Sequence, residues 1–339
     1  MPGESERVLV LVAPGQGSQA PGFLNPWLDL PGVADRLEAW SDLVGADLLR
    51  LGTKADADEI RDTAVAQPLL VAAALLSAAA LFDGEGGAAV EGGEGKVARD
   101  AVGAVAGHSV GELAAATIAG VLTEDAAMAL VRSRATAMAE AAAAAETGMS
   151  AVLGGDPDEV AARLAELELV AANDNGGGQI VAAGTLEQLA ELSANRPEKA
   201  RVVPLKVAGA FHTAHMAPAV AAMERATSGI EPGDPGIRYV SNADGSVVTE
   251  GREVVRRLVT QVSSPVRWDL CTETFRRLGV TAFVELCPAG TLTALAKRNL
   301  PGVDRVAVKG PEHLAAAREL FTTHAAESAE AAPAAEQEH

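Results

Sequence analysis

The sequence predicts an α/β protein with a large domain on a parallel sheet and a smaller subdomain inserted into it. Three observations predict this. An aliphatic run, Arg7-Val8-Leu9-Val10-Leu11-Val12, passes directly into a glycine-rich loop. A second apolar run, Ala101 to Ala106, passes through a glycine-flanked turn into the helix former Leu113-Ala114-Ala115-Ala116. From about Gly148 the spacing of strands and helices shortens, and the longer alternation resumes after Val207. A chain of 339 residues is longer than one typical domain and short enough for one core carrying an insert.

Taken in order, the first strand ends in Ala13-Pro14-Gly15-Gln16-Gly17-Ser18-Gln19, whose glycines suit a tight loop at a strand's carboxyl end, where sites in open α/β sheets gather. Thr63 to Phe82 is Ala/Leu-rich and helical, beginning at or bent near Pro68. Asp83 to Gly95 is Gly/Glu-rich and reads as a mobile surface loop. Thr123-Glu124-Asp125 supplies an N-cap and an acidic first turn for a helix reaching about Ala145. Then come a strand (Met149 to Leu153), a helix (Pro157 to Leu167), strands at Val170 to Ala172 and Gln179 to Ala183, a helix (Leu186 to Ala194) and a strand (Arg201 to Val207). That order predicts a split-βαβ, ferredoxin-like subdomain over 147–207. Strands at Ile237 to Val240, Ala282 to Leu286 and Arg305 to Val308 complete the main sheet, so the large domain comprises 1–146 and 208–323. The Ala/Glu-rich stretch 324–339 reads as a disordered tail.

Composition narrows the function classes. A formal charge of −19 argues against nucleic acid or anionic membrane as partners, since both reward a cationic surface. Between Arg196 and Gly310, however, 16 Lys/Arg stand against 11 Asp/Glu, so this third has the composition to present a basic face to an acidic partner, or a merely solvated one. No uninterrupted apolar run of membrane-spanning length appears, and the N-terminus lacks the three regions of a signal peptide, which predicts a cytoplasmic protein. Cys271 and Cys287 are too far apart for a metal knuckle or redox pair and read as buried thiols.

Gly107-His108-Ser109-Val110-Gly111 matches the G-x-S-x-G nucleophile elbow of α/β-hydrolase-like domains, with strand before and helix after. The turn strains the serine's backbone, and side chains two residues either side would collide. A hydroxyl at neutral pH needs a base. Of six histidines, His324, His339 and His313 lie near the C-terminus, and His108 points elsewhere in such a turn, leaving His212 and His215. Ala127, Leu130, Val131, Arg134 and Met138 form one stripe at helical spacing, which puts a guanidinium on an apolar face where an anion must meet it. That anion is either an internal carboxylate or a substrate carboxylate gripped by the guanidinium fork; snorkelling to solvent is the remaining alternative. Arg132, on the other face, reads as solvated.

The loop 13–19, the motif Gly107 to Glu112, an arginine 25 positions after the serine, and Phe211-His212 occur in an order that resembles the malonyl-CoA:acyl-carrier-protein transacylases and the acyltransferase domains of polyketide synthases. The resemblance covers about Val8 to Phe321, and the Ala-rich, Lys-poor composition resembles actinobacterial members. It implies that Ser109 is the nucleophile, His212 its general base and then acid, and Arg134 the ligand of the malonyl carboxylate. Backbone N–H groups of Gln16 and Val110 would form the oxyanion hole, and the main-chain carbonyl of Gln261 would orient the histidine. Gln16, Gln67, Met138, Asn173 and Phe211 would line the acyl site, although Asn173 and Asn175 also suit turns. Val110 and Phe211 are the residues that accompany malonyl in polyketide acyltransferases, whereas Gln and Ser accompany methylmalonyl. The implied partners are malonyl-CoA, coenzyme A and an acyl carrier protein, for a monomer needing neither cofactor nor metal. A serine hydrolase using the same elbow is the rival reading, and it predicts a carboxylate partner for His212.

Overall fold

A computed structural model of the chain describes residues 8–83 and 99–330. Among these, the strands in chain order are β1 (Val8–Ala13), β2 (Ala104–Gly107), β3 (Thr147–Gly154), β4 (Val170–Asp174), β5 (Gln179–Thr185), β6 (Ala200–Pro204), β7 (Arg238–Val240), β8 (Val247–Val248), β9 (Val266–Arg267), β10 (Val280–Glu285) and β11 (Asp304–Ala307). They make two sheets, in the orders β11-β10-β1-β2-β7-β8 and β6-β3-β5-β4-β9.

The first sheet is parallel apart from the β7–β8 hairpin. Its central strand β1 is Val/Leu from Val8 to Val12, ends in Ala13 and is buried on both faces, as expected of a parallel strand covered by helices on either side. One layer of core packs β1 against helices that include Thr63–Asp83 and Glu124–Ala143, and the other packs it against Trp268, Phe275 and Leu292. Helix Thr63–Asp83 is long and apolar enough to cross a membrane, but 83% of its most apolar window is buried inside the protein, which makes it a core helix. It starts five residues ahead of Pro68 instead of at it. Ala13 pairs with Gly107 and Val12 with Glu285, so the loops leaving β1, β2 and β10 emerge side by side at the carboxyl edge.

In the second sheet β3 pairs antiparallel with β5 and β6, and β4 antiparallel with β5. Helix Pro157–Glu166 joins β3 to β4 and helix Leu186–Ala194 joins β5 to β6. Val152, Val160, Leu164, Leu189 and Leu192 close a small core between sheet and helices. The two-residue β9, remote in sequence, adds in parallel to β4 and ties this sheet to the rest of the chain.

Two expectations change. The apolar run 101–106 begins as a 3₁₀ turn at Arg99–Ala101, and extended backbone starts only at Ala104. Helix Leu314–Glu330 continues through the first residues of the stretch 324–339 read as disordered, because alanine and glutamate are both strong helix formers. The remainder, 331–339, lies outside the described residues, as does the loop 84–95 beyond Asp83.

Candidate active site

Strand β2 delivers Gly107, and the chain then reverses sharply into helix Gly111–Ile118. Ser109 sits at the apex with φ of 53°, a left-handed conformation that costs a non-glycine residue about 1–3 kcal/mol. The flanking glycines make the turn possible: a Cβ on Gly107 would lie 1.9 Å from the carbonyl carbon of Gly111, and one on Gly111 would lie 2.3 Å from the Ala13 carbonyl oxygen. Asn242, just past β7, fastens the apex: its Oδ1 accepts the Ser109 N–H at 2.8 Å and its Nδ2 donates to the Gly107 carbonyl at 2.7 Å.

His212 also has a positive φ, 62°, and is buried. Its Nδ1 lies 2.9 Å from the Gln261 main-chain oxygen and its Nε2 lies 2.7 Å from Ser109 Oγ. A carbonyl only accepts, so Nδ1 carries the proton and Nε2 offers its lone pair to the serine hydroxyl. The group behind the histidine is thus a main-chain carbonyl, where the hydrolase reading expected a carboxylate. Burial, and then the Arg134 charge, lower the imidazole pKa to about 3, which keeps Nε2 unprotonated at neutral pH. His215 is exposed on the 3₁₀ turn Ala214–Met216, so of the two candidates the geometry brings His212 to the serine.

Arg134 lies on the buried stripe of helix Glu124–Ala143 with 2% of its surface exposed. Its Nη1 donates to Gln67 Oε1 at 2.6 Å, and its Nη2 donates to Gln261 Oε1 at 2.7 Å and to Ser109 Oγ at 3.2 Å. All three acceptors are neutral. Burial lowers the guanidinium pKa to about 10, so it remains a cation at neutral pH. Arg132 is exposed, donating to the Leu43 carbonyl at 3.2 Å.

These groups line one cleft between the two sheets. The large-sheet side supplies Gln16, Gln67, Ser109, Val110, Arg134, Met138, Phe211 and His212, and the small-sheet side supplies Met149, Asn173, Leu205 and Val207. Gln67 Nε2 reaches Met138 Sδ at 3.7 Å, and the Gln16 side chain is tied to the Arg61 carbonyl at 3.3 Å. Asn173 Oδ1 is buried without a hydrogen-bond partner among the described residues. Asn175 is not in the lining but bonds His108 Nε2 at 2.9 Å.

Sequence reasoning missed some of the residues around the site. His108, also among the residues lining the cleft, does not bond Ser109: its ring lies 5.6 Å from that of Trp268 and its Nε2 bonds Asn175. Glu112, 1% exposed, was seen only as part of a motif; it accepts from the Tyr239 hydroxyl at 2.8 Å, from the Asn242 N–H at 2.8 Å and, closely, from Gln261 Nε2. The available signal was an acid in a helix otherwise apolar from Leu113 to Ala116. Nothing in the sequence around Asn242 marks its role.

Residues 10–325 match the family described as the acyl transferase domain. The chain is 52% identical over 312 residues to the malonyl CoA-acyl carrier protein transacylase of Mycobacterium bovis, covering 91% of this chain and 98% of that one. A crystal structure of MCAT from Mycobacterium tuberculosis superposes with a TM-score of 0.83 at 51% identity, over 91% of this chain and 98% of that one. A malonyl-transacylase in complex with a type II PKS acyl-carrier protein superposes at 0.82 with 30% identity, over 92% and 99%. With matches of this extent over the very segments that build the cleft, the chain belongs to the acyl transferase domain family, among whose members are the malonyl CoA-acyl carrier protein transacylases.

Proposed function

We propose that the protein moves a malonyl group from malonyl-CoA to the phosphopantetheine thiol of an acyl carrier protein through an ester on Ser109. The observation that carries this reading is that Ser109 Oγ lies 2.7 Å from His212 Nε2 and 3.2 Å from Arg134 Nη2, a nucleophile, a base and a fixed cation around one atom.

His212 Nε2 takes the hydroxyl proton as Ser109 Oγ attacks the thioester carbon. The resulting oxyanion faces the N–H groups of Gln16 and Val110, two cleft residues whose backbone amides make no hydrogen bond among the described residues. In other enzymes one such donor is worth about 2.7–4 kcal/mol. The intermediate collapses, the C–S bond breaks, and coenzyme A departs with the proton from His212. The carrier thiol then gives its proton to His212, attacks the ester carbon and returns the serine hydroxyl. Thioester is exchanged for thioester, and no step calls for a cofactor or a metal. Arg134 receives the malonyl carboxylate, and an acetyl group leaves that guanidinium without an anion. Met138, Gln67, Asn173 and Phe211 shape the acyl site, and Val110 with Phe211 favours malonyl over methylmalonyl by the roughly 1–3 kcal/mol that one methyl is worth.

We read residues 1–146 and 208–323 as an α/β-hydrolase-like catalytic domain and 147–207 as a ferredoxin-like subdomain. The order β6-β3-β5-β4, with a helix after the first and third of its strands in chain order, supports the latter. The reaction is that of fatty-acid synthesis in the cytoplasm. The structural likeness to a transacylase bound to a polyketide carrier supports a polyketide carrier as the second candidate acceptor.

Brief exposure to malonyl-CoA followed by peptide mass spectrometry tests the reading. It expects a malonyl adduct on Ser109, absent in Ser109→Ala and discharged by holo carrier protein. An adduct elsewhere, or one lost to water as fast as to the carrier thiol, overturns it. In the same assay Arg134→Ala is expected to slow malonyl loading far more than acetyl loading.

A further inference from the structure

A second charge stands behind the guanidinium. Glu112, on the second residue of the elbow helix, is fully enclosed; the Asn242 N–H can only donate to it, and the Gln261 side-chain amide turns its Nε2 toward it. The Tyr239 hydroxyl, 2.8 Å away, is the third. The Gln261 amide is used completely. Its Nε2 donates to Glu112 and, at 3.0 Å, to the Ser109 carbonyl, while its Oε1 accepts from Arg134 at 2.7 Å. The opposite amide flip would turn oxygen toward a carboxylate and a carbonyl, and N–H groups toward a cation. The carboxyl at position 112, together with the Ser109 carbonyl and the Arg134 cation, therefore fixes which end of Gln261 meets Arg134.

We infer that Glu112 is a positioning residue for carboxylate recognition: held one side-chain amide behind Arg134, it fixes Gln261 as a neutral acceptor that aims the guanidinium at the cleft without neutralising it. This rests on the reading of Arg134 as the malonyl ligand. A carboxylate in direct contact would fill the guanidinium fork and compete with the substrate, whereas an amide spacer orients the cation and leaves its charge to be satisfied by the acyl unit. The main-chain carbonyl of Gln261 that receives His212 Nδ1 does not depend on which way the side-chain amide faces, so the base is insulated from this device, whereas the nucleophile touches it through the Ser109 carbonyl and hydroxyl.

The test is Glu112→Gln in the full chain, with serine acylation by malonyl-CoA and by acetyl-CoA measured separately. The substituted amide keeps an oxygen for Tyr239 and Asn242 but turns an NH2 group toward Gln261, which works against the orientation favoured by Ser109 and Arg134 and drives Gln261 to flip or to part from Arg134. The expected result is a fall in malonyl loading of ~100-fold, appearing mainly in KM, with a loss of acetyl loading at least about tenfold smaller, since the Ser109 carbonyl also loses its Gln261 donor. Equal losses on both donors with an unchanged thermal midpoint, or an unchanged malonyl-to-acetyl ratio, overturn the inference. Should the single variant unfold, Glu112→Gln with Gln261→Glu decides. It restores donor-to-acceptor polarity between positions 112 and 261, so it is expected to fold, yet it seats a carboxylate directly on Arg134, takes the amide donor from the Ser109 carbonyl and should refuse malonyl more strongly than acetyl. A double variant that loads malonyl normally, or that also fails to fold, overturns the inference. Arg134→Ala run alongside separates the two ideas. If it is selective and Glu112→Gln is not, only the role of Glu112 falls; if Arg134→Ala harms both donors equally, the reading of Arg134 falls first.

Discussion

Ser109 and His212 both occupy left-handed backbone conformations, at φ of 53° and 62°. The two residues that must meet are each held where an unconstrained chain would not leave them, and their hydrogen bonds to Asn242 and Gln261 supply the constraint. Enclosing the imidazole has a second consequence, in stability. An exposed histidine titrates near 6.5, whereas burial and the Arg134 charge bring His212 to about 3. Between those values the unfolded chain binds a proton that the folded protein refuses. This contribution to stability is therefore fully present above about pH 6.5 and is lost progressively as pH falls toward 3. Glu112, raised by burial, carries the opposite sign. Comparing the protein with His212→Gln removes that shared contribution. The wild type is expected to lose stability relative to His212→Gln by up to about 1 kcal/mol per pH unit below 6.5. Urea unfolding of both at pH 7 and pH 5 checks this, and a difference independent of pH would contradict it.

At the scale of elements, the site depends on how tightly β2 turns into the helix Gly111–Ile118. A methyl on Gly107 would meet backbone at 1.9 Å, and backbone cannot rotate away as a side chain can. Gly107→Ala is expected to cost about 4 kcal/mol or more, whereas Gly229→Ala, where a methyl meets nothing within 4 Å, should change stability by about 0.5 kcal/mol or less. Thermal unfolding of the two variants makes the comparison, and similar midpoints would show that the turn has slack. The same turn was legible in the sequence, because glycines so spaced after an apolar run suit a sharp strand-to-helix reversal and little else. Arg134 was legible as well, since a cation on an apolar helical stripe requires a partner. The Glu112–Gln261–Asn242 network was not. Its members come from segments some 130 to 150 residues apart, and each is an ordinary polar residue until the fold buries it. Strand β9 was equally invisible: two residues carry no periodicity, and Val266–Arg267 becomes a strand only because β4 presents an edge beside it. Helix Leu314–Glu330 shows the converse, a composition that fits both a helix and a disordered tail.

For the whole molecule, the two sheets are the jaws of one cleft, and charge decides how a macromolecular acceptor reaches it. The chain carries a formal charge of −19, so a distant acidic carrier protein is repelled. The mouth differs from the average. Exposed Lys206 sits between the cleft-lining residues Leu205 and Val207, and the segment from Arg196 to Gly310 has five more basic than acidic residues, 16 against 11. At about 0.1 M salt charges are screened beyond roughly 10 Å, so an approaching carrier feels the mouth and not the far surface. These two contributions predict opposite salt dependence. If the net charge governs encounter, added salt relieves repulsion and kcat/KM for the carrier rises; if the mouth governs, salt weakens attraction and kcat/KM falls. The location of Lys206 on the rim makes a fall the expected outcome between about 50 and 300 mM salt. Lys206→Glu should flatten or invert that slope while leaving the extent of Ser109 loading unchanged. A carrier rate that climbs with salt in the parent protein would mean that the acceptor docks away from this rim.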